Sequence, residues 1–154
     1  MELKFSHVDI VVKDLKRAIE YCRQVLGCKC SDLRVWNRDG FHVEYVVMFN
    51  GEERFMLVQP FEGVLKDLLD EKGEGTIYRL CYTVPDIYAA FAELKAAGVQ
   101  PENEQGQALQ VEDLSAATGK PIIWLPKALG SLSIELLDRA YMEPRMEQAR
   151  LGAN

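Results

Sequence analysis

Apolar residues along this chain recur first every second position and then at helical spacing, and the order of those rhythms predicts its elements. Residues 5–12 are apolar and β-branched enough for a strand. Asp14 stands where an N-cap belongs. Behind it Leu15, Ala18, Ile19, Cys22, Val25 and Leu26 recur at helical spacing until Gly27 supplies a stop. Strand-like runs follow around residues 29–36, 41–49 and 54–59, with Asn50-Gly51 as a hairpin turn between the last two. Pro60 closes this half, residues 63–70 read as a short amphipathic helix, and residues 72–75 form a flexible connector.

The pattern then restarts. Residues 77–84 read as a strand, Asp86 as a cap, and residues 87–97 as a helix ending before Gly98. Residues 101–118 are polar and carry no clear period. Residues 121–125 and 131–137 look like closing strands, and residues 138–154 either extend as an exposed helix or fray. Sliding His7 onto Arg79 carries Val12 to Val84, Asp14 to Asp86, Leu15 to Ile87 and Ala18 to Ala90. Gly51 also precedes Met56 as Gly130 precedes Glu135. A repeat this long implies two copies of a βαβββ module rather than a solenoid. The expected fold is α+β, with two tandem βαβββ modules forming a curved mixed sheet around a central cavity. Within one domain the first module spans about residues 5–60, a linker 61–75, the second module 76–137 and a tail 138–154.

Side chains alternate between the two faces of a strand, so each run divides into a helix-covered set and an opposite set. The opposite sets are His7 and Asp9, His42 and Glu44, Arg54 and Met56, Arg79 and Cys81, and Ser133 and Glu135. Turned inward across a concave sheet, these polar groups would need partners, a ligand or water. Left outward, they are the solvated face that antiparallel sheets often have.

Composition narrows the class. The chain has 154 residues, of which 48% are hydrophobic, enough for one compact domain or two small lobes sharing a core. No run approaches the roughly 18 apolar residues of a membrane span. The N-terminus lacks the layout of a signal peptide, so the expected location is cytoplasmic. A net charge of −6 without a stripe of Lys and Arg argues against nucleic acid. Cys22, Cys28, Cys30 and Cys81 form no C-x-x-C pair and read as free thiols.

Five segments carry a family resemblance: HVDIVVKDLKRAIEYCRQVLGCK from His7, FMLVQP from Phe55, LLDEKGEG from Leu68, VPDIYAAFAELKAAGV from Val84 and GKPIIWLPKALGSLSIEL from Gly119. Through them the chain resembles the vicinal oxygen chelate superfamily of glyoxalases, bleomycin-resistance proteins and ring-cleaving dioxygenases, and within it the methylmalonyl-CoA epimerases. The resemblance implies a divalent metal held by one side chain from each of four strands. Those positions fall on His7, Met56, Arg79 and Glu135. A thioether is a poor ligand for a hard ion, and a guanidinium has no free lone pair to offer. His7 and Glu135 therefore remain as an incomplete metal set, and the cofactor expectation is none, with a divalent ion as the open alternative. One such alternative rebuilds the site from His42 and Glu44 with His7 and Glu135. The family's second catalytic carboxylate falls near Gly40, beside Asp39.

Two roles for Arg79 stay open: an ion pair with Glu135, or a bidentate clamp on an anionic ligand group with His7 or Glu135 as base. The catalytic candidates are thus Glu135, His7 and Arg79. The expected ligand-binding set is Arg79, Arg54, His42, Glu44, Met56, Cys81 and Ser133. The resemblance implies an isomerase- or lyase-type enzyme moving a proton beside a carbonyl. The rival is a metal-free binding or resistance protein of the same superfamily. Segment LLDEKGEG and Lys127 resemble places where the epimerases meet an acyl thioester, so the implied partner is an anionic small molecule or acyl-CoA, and the implied assembly a homodimer.

Overall fold

Strands and helices follow one another as β1 (Lys4–Val11), α1 (Leu15–Leu26), β2 (Lys29–Cys30), β3 (Arg34–Arg38), β4 (Phe41–Asn50), β5 (Glu53–Glu62), α2 (Val64–Lys72), β6 (Ile77–Val84), α3 (Ile87–Ala96), β7 (Ile122–Trp124), β8 (Ser133–Asp138) and α4 (Arg139–Leu151). The strands belong to a mixed sheet, so the chain is α+β as expected. The computed structural model describes residues 1–38, 40–115, 117 and 121–154. Asp39, and Gly119 and Lys120 at the head of the last family segment, lie outside the described residues. Two compact units emerge: a first of His7–Tyr78 with Glu147–Asn154, and a second of Met1–Ser6 with Arg79–Met146.

In the first unit, β4 pairs antiparallel with β2, β3 and β5, and β5 runs parallel to β1 through Asp9–Met56, Ile10–Leu57 and Val11–Val58. The caps read from the sequence are in place. Asp14 accepts a bond from the Arg17 amide at 3.1 Å, and Gly27 takes the left-handed conformation (φ 68°) that a side chain would resist. Helix α1 buries Leu15 and Cys22 on Val46, Met48 and Leu57, with Cys28 and Cys30 filling the same layer. All four cysteines are buried and outside any disulfide, and burial pushes the thiols of Cys22, Cys28 and Cys30 up. On the opposite face, Leu65 and Leu69 of α2 pack with Val11, Val43, Val58 and Tyr78. Both faces of β4 are therefore apolar and covered.

Two sequence expectations change here. The run expected over residues 29–36 is two separate strands, β2 and β3, paired with different stretches of β4. Strand β5 continues past Pro60 to Glu62. Pro60 lies opposite Val43, where the register with β4 shifts, and such an irregularity tolerates a missing N–H.

In the second unit, β6 runs parallel to β8, and β7 pairs antiparallel with β8. Helix α3 lays Ile87, Ala90 and Leu94 on Val84, Ile123 and Leu136. Beyond this helix, where the sequence carries no clear period, Glu102 forms isolated bridges with Ala108 and with Trp124. The Asn103 side chain closes that turn by accepting from the Gln105 and Gln107 amides, and its polar sequence has no apolar alternation to extend pairing. The tail is helical rather than frayed, and it is not wholly exposed: Met146 and Ala149 are buried. No helix among the described residues is long and apolar enough to cross a membrane.

Asp86 caps α3 by accepting from Tyr88 N at 2.9 Å and Ala89 N at 3.3 Å. Replacing it with Ala should lower stability by about 1 kcal/mol in urea titrations, while Asp86→Asn, which keeps an acceptor, should lose only a few tenths.

Candidate functional site

In the first unit the chemistry sits on the strand face turned away from α1. Ile10 and Val12 pack toward α1, and Val11 packs into the α2 cluster. His7 and Asp9, four and two residues before Val11, take its face. They are only 2% and 3% exposed, and His7 Nε2 lies 3.3 Å from Asp9 Oδ1, within ion-pair reach. Met56 is the cross-strand neighbour of both Asp9 and Val47 and packs in the same cluster. Tyr45 joins them. Burial pushes its phenol pKa up, an effect the Arg34 guanidinium opposes by charge and by a hydrogen bond, while the charge of Asp9 adds to the rise.

Two first-unit residues expected on that face, Glu44 and His42, are placed elsewhere. Glu44 shares its parity with Val46 and Met48 and so lies on the α1 side, opposite Gln59, whose Oε1 accepts from the Leu15 amide at 2.8 Å. His42 sits beyond the register shift and stacks on Phe61, with ring centroids 4.8 Å apart. Arg54 keeps the Met56 face, near the hairpin end and opposite Phe49, where its charge reaches Glu147. The expectation that Val43, Tyr45 and Val47 mark the face under α1 is reversed. With α2 covering the other face, apolar residues were no guide to which helix they met.

The second unit follows the alternation as read. Tyr82, Val84 and Leu136 face the α3 cluster, which leaves Arg79, Cys81, Ser133 and Glu135 on the opposite face. Register pairs Arg79 with Ser133 and Cys81 with Glu135. Arg79 Nη1 lies 3.3 Å from Glu135 Oε2, and Glu135 is 6% exposed. Trp124 neighbours Glu135 across the β7–β8 ladder, and its ring centroid is 6.0 Å from the Arg79 guanidinium carbon. Burial raises the Glu135 pKa, the positive charge of Arg79 pulls it back, and Glu104 adds to the rise. A carboxyl so placed holds a proton more readily than an exposed one and has a cation within reach of its anionic form. The ion pair expected of Arg79 and Glu135 is present.

Sequence reading named Asp9 on the right face but missed its contact with His7. The signal was available in the spacing, since positions two apart on a strand share a face. Arg34, Tyr45 and Trp124 were missed altogether, because their roles come from cross-strand register.

A strand–helix–strand arrangement with ionisable side chains on one strand face defines a class, and comparison with known proteins identifies it. Residues 6–118 match the Glyoxalase/Bleomycin resistance protein/Dioxygenase superfamily, and the chain belongs to that superfamily. It is similar to the ethylmalonyl-CoA/methylmalonyl-CoA epimerase of Cereibacter sphaeroides, 30% identical over 136 residues, covering 86% of this chain and 96% of that one. The mitochondrial methylmalonyl-CoA epimerase of Mus musculus is 27% identical over 136 residues, covering 86% of this chain and 71% of that protein. The crystal structure of methylmalonyl-CoA epimerase from Mycobacterium tuberculosis superposes with a TM-score of 0.63 at 24% identity, over 87% of this chain and 86% of that one.

The Glu135 environment sets a pH signature. Its raised pKa means the folded chain binds that proton more tightly than the unfolded chain, so its contribution to stability is complete below the ordinary glutamate range and is lost as pH rises through the raised value. Wild-type stability measured against Glu135→Gln should therefore decline as pH rises above the ordinary glutamate range of about 4 in urea titrations. A rise there would mean that Arg79 outweighs burial.

Proposed function

We propose that this chain is an isomerase-type enzyme that moves a proton on the carbon beside the carbonyl of an acyl thioester. The Arg79–Glu135 pair carries the reading: a buried carboxyl with a raised pKa and a guanidinium 3.3 Å away. In its anionic form the Glu135 carboxylate takes the proton from the carbon, and the C–H electron pair moves into the carbonyl. Negative charge then develops on the carbonyl oxygen, where the guanidinium offers paired N–H donors. The proton now on the Glu135 carboxyl swaps with one from solvent, and delivery of that solvent proton to the same carbon, as the oxygen's negative charge returns to the carbonyl, completes the exchange. Inversion, unlike exchange, needs a second proton carrier on the opposite side of that carbon.

The superfamily's metal position does not suit the residues present. Met56 offers a soft thioether, Arg79 offers no lone pair, and Glu135 is already engaged by that arginine. The proposed reaction uses no ion at these four side chains, and the guanidinium takes the role of the positive charge. The epimerase relatives support the reaction class, and their named substrates support an acyl-CoA ligand.

The test is deuterium uptake from heavy water into methylmalonyl-CoA and ethylmalonyl-CoA, followed by mass spectrometry. Wild type should exchange the proton beside the thioester carbonyl, and Glu135→Gln or Arg79→Ala should slow it by at least about a hundredfold, the lower range for a positioned acid–base group. Exchange no faster than in both variants, across the panel, would end the enzyme reading, and ligand binding without exchange would leave a binding protein in its place. Dialysis against a chelator should leave the wild-type rate unchanged. A rate that collapses there and returns with cobalt or zinc would restore the metal.

A further inference from the structure

Strand β3 carries a feature that the reaction above does not use. It pairs antiparallel with β4 in the register Arg34–Tyr45, Trp36–Val43 and Arg38–Phe41, so these three β3 side chains share one face with Tyr45, Val43 and Phe41. Trp36 packs into the α2 cluster from there, whereas Val35 and Asn37 on the other face are exposed. The Arg38 guanidinium lies over the Trp36 ring, 3.7 Å from its centroid. Stacking fixes the plane of the guanidinium while leaving its N–H edge open to an anion. Arg34 is held differently, by its hydrogen bond to Tyr45, a group that also feels the charge of Asp9. Among the described residues no carboxylate lies within ion-pair distance of either arginine, in a chain whose net charge is −6.

Spacing says what such a strip recognises. Four residues along a strand put the two guanidiniums roughly 13 Å apart, too far to grip one phosphate together. A ligand that engages both has phosphate groups at two separate points, and a planar apolar surface lies between them at Trp36. We infer that Arg34, Trp36 and Arg38 form a subsite for the phosphate-bearing end of an extended ligand whose phosphates are in two groups, the chemistry of the nucleotide half of coenzyme A. This rests on the acyl-thioester reading for the identity of the ligand, and needs no metal and no chemical step.

The experiment measures binding of coenzyme A, pantetheine and inorganic pyrophosphate to the full chain, by calorimetry and by tryptophan fluorescence in a Trp124→Phe background. The chain has two tryptophans, so that background reports Trp36 alone. Coenzyme A should bind at least about tenfold more tightly than pantetheine and perturb Trp36 emission, since charge-assisted bonds to phosphate exceed the free energy of one decade. Arg34→Ala and Arg38→Ala should each erase most of that margin, and Arg38→Lys, which keeps the charge but loses the planar stack, should fall between. Pyrophosphate should bind weakly because it reaches only one arginine at a time. Both arginines are exposed, so a urea titration of each variant separates loss of binding from loss of fold.

Equal affinity for coenzyme A and pantetheine, or a margin that survives both alanine variants, overturns the subsite. So does undetectable coenzyme A binding. The two proposals fail separately. Arginine-dependent binding of coenzyme A without deuterium exchange removes the reaction and keeps the subsite. Exchange with a margin indifferent to Arg34 and Arg38 does the reverse.

Discussion

Taking a carboxylate out of water is the costly event in this protein, and the arrangement around the candidate site answers that cost. Glu135 is nearly inaccessible, and the only responses open to a buried acid are to keep its proton or to meet a cation. The structure supplies both: burial raises the proton affinity, and Arg79 stands close enough to stabilise the ionised form. His7 and Asp9 meet the same constraint in the first unit, each the other's neighbour on a strand face that offers neither of them water. A carboxyl poised between two protonation states in this way is suited to transferring a proton, which a fully exposed or fully paired one would do less well.

The strands make such placement possible because register sets distance. Cys81 lies opposite Glu135, Arg79 opposite Ser133 and Asp9 opposite Met56, so side chains far apart in sequence meet at strand spacing. The helices then hold the register in place. In the first unit α1 seals one face with Leu15 and Cys22, and α2 seals part of the other with Leu65 and Leu69. The polar residues on the second face are left without room to leave. Rigidity of this kind is what a proton-transfer site requires, since a small misplacement of the carboxyl is expensive in rate.

Much of the architecture was legible before any coordinates. Asp14, Gly27 and Asp86 mark helix ends by local hydrogen bonding alone, and they do so in the structure. The second-unit faces were also readable, because only one side of β6 and β8 meets α3 and hydrophobicity therefore distinguishes the sides. That logic failed at β4, where both faces are covered and Glu44 was assigned to the wrong one.

What the sequence determined by itself was the order of most elements and the caps, since each depends on neighbours along the chain. What only the tertiary structure decided was which side chains touch: Arg79 with Glu135, His7 with Asp9, Arg34 with Tyr45 and Arg38 with Trp36. Cross-strand register underlies the first and third of these contacts, and face and rotamer the others. Those depend on packing from both sides of a strand, which no local pattern records.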